Sequence, residues 1–77
     1  MPTVLRAAGL RFHFYSADGH EPPHIHIEGT GRKAKVWLQE VRVAKNGGFS
    51  EIELSRILEI VSKNRAKLLE AWNDFFA

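Results

Sequence analysis

No cysteine occurs in the 77-residue chain. Neither a disulfide nor a thiolate metal cluster can therefore staple it, and any metal would have to sit on imidazole and carboxylate. A reducing, cytoplasmic setting is the expectation that follows. Long apolar runs are missing as well, since nowhere do ~18 apolar residues follow one another. The stretch from Met1 to Gly9 has no basic region leading into a sustained apolar segment, which disfavours secretion and membrane anchoring. Three familiar catalytic and nucleotide-binding signatures are absent too. Gly29-Thr30-Gly31-Arg32 is too short for a phosphate loop and precedes a strand pattern instead of a helix, and neither a serine nucleophile elbow nor His-Glu-x-x-His occurs. Strong charge of one sign is also lacking: the net charge is +2, with +3 carried up to Gly48 and −1 beyond it. A polyanion would meet the N-terminal half, where all four histidines also lie.

A chain of this length forms one domain, residues 1–77, and hides only ~60% of the surface that its unfolded form exposes. A deep internal cavity is not expected. The N-terminal part, residues 1–48, reads with period two. Leu10, Phe12 and Phe14 alternate with Arg11, His13 and Tyr15; Ile25 and Ile27 alternate with His24, His26 and Glu28; Ala34, Val36 and Leu38 alternate with Lys33, Lys35 and Trp37. Val41 and Val43 suggest a short further strand, and Thr3 to Ala7 an edge. Breaks at Ser16-Ala17-Asp18-Gly19, Gly29-Thr30-Gly31 and Asn46-Gly47-Gly48 supply turn residues. The simplest arrangement is an antiparallel meander of three to five strands.

Residues 49–77 read as helix. Ser50 and Glu53 match a capping box, and Phe49 can staple onto Leu54. Leu54, Ile57, Leu58, Val61, Leu68, Leu69, Trp72, Phe75 and Phe76 then fall within an arc of about 120°, interrupted only by Arg65. One helix from Glu51 to Phe76 would run ~39 Å, whereas the strands reach only ~17 to 23 Å. Either the chain bends near Asn64-Arg65 and returns to its own sheet, or Leu68, Leu69, Trp72, Phe75 and Phe76 overhang. In the second case they offer an interface to a small protein partner or a second copy. The expected fold class is thus α+β, a small antiparallel sheet with a C-terminal amphipathic helix on one face.

The other face gathers a polar, basic and aromatic set: Arg11, Tyr15, Lys33, Lys35 and Trp37 around His13, His24 and His26. Such a set can hold a phosphate backbone and stack a base. His24 and His26 lie two apart on one strand, about 7 Å apart at Cα and pointing the same way. Paired imidazoles at that spacing can chelate a metal, donate to a phosphate, or share general acid and base roles. His13 joins them if its strand pairs with theirs, and His20 is an outer ligand candidate. No cofactor is called for.

Met1-Pro2-Thr3-Val4, Arg11-Phe12, Phe14-Tyr15-Ser16, the block Glu21-Pro22-Pro23-His24-Ile25-His26-Ile27-Glu28, Ala34-Lys35-Val36-Trp37, Gly47-Gly48-Phe49-Ser50 and Leu68-Leu69-Glu70-Ala71-Trp72-Asn73 occur in that order. The chain thereby resembles the small bacterial family catalogued as domain of unknown function 4160. The resemblance implies a neighbouring short gene and a toxin–antitoxin-like pair. The expected function is accordingly a partner-binding component of such a module, with the histidine face touching nucleic acid or the partner. The alternative is a small metal-independent ribonuclease in which His24, His26 and His13 share acid and base roles and Arg11, Lys33 or Lys35 stabilises the phosphorane charge.

Overall fold

The computed structural model describes residues 3–76. Five strands, β1 (Thr3–Ala7), β2 (Leu10–His13), β3 (His24–Gly29), β4 (Arg32–Trp37) and β5 (Arg42–Gly47), lie in the order β1-β2-β3-β4-β5, and every neighbouring pair is antiparallel. This is the expected meander. The β1–β2 connection turns on Ala8 and Gly9, whose φ angles of 53° and 74° are both positive, as the mirror-type two-residue hairpin turn requires. A 3₁₀ helix, Ser16–His20, occupies the longer β2–β3 connection.

Alternation sorts the sheet as the sequence predicts. Phe12, Ile25, Ile27, Ala34 and Val36, continued by Phe14 and Leu38 just beyond their strands, are buried against Ile57, Val61, Leu68 and Trp72. The fifth strand is longer than the expected Val41–Val43 segment and runs through Asn46-Gly47. Its register shifts between the Lys35 and Val36 positions of β4, where Lys45 and Val43 are the partners. The extra residue breaks the period-two pattern that would have marked the strand.

Ser50 caps α1 (Glu51–Lys63) as predicted: its hydroxyl accepts from the Glu53 amide at 3.2 Å, and the Glu53 carboxylate accepts from the Ser50 amide at 2.9 Å. Asn46 holds the approach, its side chain exchanging hydrogen bonds of 2.9 and 3.0 Å with the backbone of Phe49. At Asn64 the helix stops and a second, α2 (Arg65–Phe76), begins. The Asn64 side-chain amide donates to the Ile60 carbonyl at 2.8 Å, competing with the regular ladder. Arg65, the one charged break in the apolar stripe, donates from Nε to Leu38 O at 2.6 Å and from Nη2 to Gln39 O at 2.9 Å. The bend is thereby tied to the β4–β5 turn.

Of the two alternatives for the long stripe, the structure takes the bend. Leu68 and Trp72 are buried in the core of the chain itself, and Phe14 packs on Trp72, Phe75 and Phe76 at ring separations of 5.4, 5.7 and 5.8 Å. The overhang that pointed to a second chain is therefore not present. Of the five residues assigned to that interface, Phe75 is the one left widely exposed, at 43%.

Candidate functional site

Strand register assembles the polar face into rows. His13 lies opposite His26, His26 opposite Lys35, and Lys35 opposite Lys45; beside them run Arg11, Glu28 and Lys33, and then His24, Trp37 and Arg42. The residues expected on this face are thus brought together, with Lys45 added from the bulged strand.

The face is not open along its whole length. The Ser16–His20 turn lies over the histidine end. There the Tyr15 ring meets His13 edge-on at 5.1 Å and His26 at 4.6 Å, while His13 stacks on His26 at 5.8 Å. His13 and His24 are buried, and the His26 side chain keeps 22% of its exposure. General acid–base work needs groups that reach the substrate. The ribonuclease alternative asks for two such imidazoles, and one is at the surface.

Asp18 is the residue that sequence reasoning missed. Its carboxylate Oδ2 accepts from the Tyr15 amide at 2.8 Å, which fixes it over the sheet, and lies 3.0 Å from His26 Nε2 and 3.2 Å from His24 Nε2. The available signal was an acidic residue in the loop that joins the two histidine-bearing strands. His24 is oriented from the other side, where Nδ1 donates to the Pro22 carbonyl at 2.9 Å. The Pro22-Pro23 lead-in is itself held, because Leu38 N donates to Pro23 O at 3.0 Å. His20, the outer ligand candidate, points to solvent with a side chain 75% exposed.

Burial, reinforced by the nearby Arg11 and His26, lowers the pKa of His13. Burial also lowers that of His26, and Asp18 offsets this only in part. Partial burial works to raise the Asp18 carboxyl, but the Tyr15 amide and the two neighbouring imidazoles outweigh it and hold the group below its ordinary value. The centre is therefore a carboxylate set directly against two imidazoles, those of His24 and His26. Among the described residues, Asp18, His24 and His26 form a group able to hold a metal, with one ligand atom from each lying within 4.8 Å of the others.

Further along the face, Lys35 pairs with Glu21 and sets its ammonium 4.7 Å from the Trp37 ring centroid, and Arg11 pairs with Glu28. His26, Lys33, Ala34, Lys35, Lys45 and Gly47 line a shallow hollow of about 360 Å³.

An α+β domain with a clustered His/Asp centre beside a basic hollow is the class that fold and site define. The chain belongs to the family of domain of unknown function DUF4160, whose sequence profile matches residues 9–73. No curated protein and no solved structure matches it.

Proposed function

We propose that the polar sheet face holds the phosphodiester backbone of a single-stranded nucleic acid, RNA in the first instance. The chain would do so as one component of a two-gene, toxin–antitoxin-like bacterial module. The observation that carries the reading is the cross-strand pairing of Lys35 with Lys45 in the hollow that Lys33 and His26 also line. Like charges directly opposite each other destabilise a sheet, and an anion seated between them turns that cost into attraction. Glu21 offsets Lys35, but Lys33 and Lys45 have no carboxylate within 4.0 Å among the described residues. Tyr15, 36% exposed, and Trp37 flank the basic row on the same face, and aromatics beside a basic track suit the stacking of unpaired bases.

The two-gene context comes with the family resemblance. The partner half of the reading has less surface than the sequence suggested, because Leu68 and Trp72 are spent on the core. Fluorescence anisotropy with a labelled single-stranded RNA, at several salt concentrations, tests the proposal. Lys33→Glu with Lys45→Glu should weaken binding at least tenfold and reduce the slope of log affinity against log salt by about 1.4, at ~0.7 per lost contact. Arg56→Glu, on the exposed side of α1, should leave both unchanged. No binding by the parent chain, or an equal loss from Arg56→Glu, would remove the proposal.

A further inference from the structure

His24 poses a problem of satisfaction. The Pro22 carbonyl can only accept, so the hydrogen bond at 2.9 Å places a proton on His24 Nδ1. The other ring nitrogen, Nε2, is then the one left to account for. That nitrogen is buried and has no hydrogen-bond partner among the described residues. It faces the carboxylate of Asp18 at 3.2 Å, but too obliquely for a hydrogen bond. Buried polar atoms in folded proteins nearly always find a partner. A cation held between the two groups would supply one.

The geometry and the chemistry of the donors agree. We propose that Asp18, His24 and His26 bind a first-row divalent metal ion, zinc foremost, through one carboxylate oxygen and the two Nε2 atoms. Metal–ligand bonds of ~2.1 Å separate neighbouring donors by about 3.4 Å in a tetrahedron and about 3.0 Å in an octahedron. The observed separations from the Asp18 oxygen, 3.0 Å to His26 and 3.2 Å to His24, lie in that range. Two imidazoles with one carboxylate favour the zinc-to-iron series over calcium or magnesium, which prefer all-oxygen shells. The outer contacts are those of a built site as well. Metal-bound histidines usually donate their second ring N–H to a carbonyl, as His24 does to Pro22. Asp18 is braced by the Tyr15 amide. Binding displaces the proton that His26 Nε2 donates to Asp18, and Nδ1 carries the ring's proton instead, so that the imidazole ligates in its neutral form. Three protein ligands leave at least one position for water or a further ligand, the pattern of reactive sites more than of closed structural ones. The inference stands whether or not the basic hollow binds nucleic acid.

The test uses the full chain, stripped with a chelator and titrated with zinc and with cobalt(II) as a spectroscopic probe. One ion per chain should bind, with visible cobalt absorption whose intensity reports coordination number, and the unfolding midpoint should rise by roughly 10 to 20 °C at 100-fold excess over Kd. Because His24 is part of the packed interior, the informative variants are Asp18→Asn and His26→Gln, each expected to weaken binding tenfold or more. His20→Ala, on the exposed loop histidine, should not. The parent chain supplies an independent reading, in which zinc shifts the imidazole ¹⁵N resonances of His24 and His26 and leaves those of His20 in place. Sub-stoichiometric binding by the parent, unchanged affinity in both variants, or a shift confined to His20 would each overturn the proposal.

Discussion

The ring centroids of His24 and Trp72 lie 5.0 Å apart with the rings tilted by 55°. His24 belongs to the polar side of β3, and Trp72 to the helix that covers the apolar side. Trp72 also meets Phe14 edge-on and lies tilted against Phe76 at a ring separation of 4.3 Å. One indole therefore links the core to the histidine cluster, and α2 helps to keep water from His24. The Ser16–His20 turn rests on the same helix end, since a Cβ built on Gly19 would come within 2.7 Å of the Phe76 ring. Site and core are thus one packing unit at this end of the molecule.

Trp72→Ala should for this reason act on the folded chain itself. A loss of about 3 to 5 kcal/mol is expected for truncating a buried tryptophan, a large fraction of the stability of so small a domain. Urea unfolding reads the loss directly. Molar mass by light scattering should stay that of the parent, whereas a change in assembly with little change in stability would show that the indole serves an interface. Trp72→Phe should recover much of the stability by refilling the site in part.

Arg65 makes a narrower prediction. Its two hydrogen bonds to the Leu38 and Gln39 carbonyls tie the start of α2 to the β4–β5 turn, and hydrogen bonds from charged donors contribute roughly 1.5 to 3 kcal/mol each before solvent competition at an exposed position reduces them. Arg65→Ala should cost about 1 to 2 kcal/mol and speed amide exchange in α2 more than in α1. Arg65→Lys should rescue little, because an ammonium cannot reproduce the planar two-point contact. Equal exchange rates in parent and variant would mean that the helix bend holds without this tie.

What the residues disclosed before the structure follows from how local each determinant is. The strands through Phe12, Ile25 and Val36 were legible because alternation is set by the pleat. The helix start at Ser50 was legible because the capping box spans four neighbouring residues. The bend at Asn64 emerged as one of two alternatives from a length mismatch, but choosing between them depends on Trp72 meeting Phe14 and His24, contacts distant in sequence. The pattern shows only the Val41–Val43 part of the fifth strand because the bulge breaks the very period that identifies a strand. For the site, alternation put His13, His24 and His26 on one face correctly. It carries no information about what lies over that face, so the burial of His13 and His24 and the arrival of Asp18 from the loop were not readable.

Acid should weaken the helix start in a defined direction. The hydrogen bond from the Ser50 amide, assisted by Arg32, holds the Glu53 carboxyl below its ordinary value of 4.5 against the opposing effect of desolvation. A carboxylate favoured in the folded state binds fewer protons there than in the unfolded chain, so stability rises with pH across this window. The contribution of Glu53 is complete above about pH 5 and is lost as the pH falls through the depressed folded value. Glu53→Gln retains an acceptor for the Ser50 amide but cannot titrate. Thermal melts between pH 6 and pH 3 should show a smaller drop for this variant than for the parent, and parallel profiles would count against a stabilising role for the charge.

The β1–β2 turn stores strain that a single substitution should release. Ala8 is exposed and sits at φ 53°, followed by Gly9 at 74°. The left-handed region costs an L-residue with a Cβ about 1 to 2 kcal/mol, and asparagine tolerates it better than alanine because its short polar side chain bonds locally. Asn-Gly is also the preferred pair for a two-residue turn of this hand. Ala8→Asn is therefore expected to stabilise by about 0.5 to 1 kcal/mol, raising the unfolding midpoint by roughly 3 to 6 °C in a domain of this size. Ala8→Gly relieves the same strain but adds freedom to the unfolded chain, so its net gain should be smaller. Ala8→Val, β-branched and poorly suited to positive φ, should lose more than 1 kcal/mol. The order Asn above Gly above Ala above Val in urea midpoints is the signature of the left-handed turn, and a valine variant as stable as the parent would show that the turn has another conformation in solution.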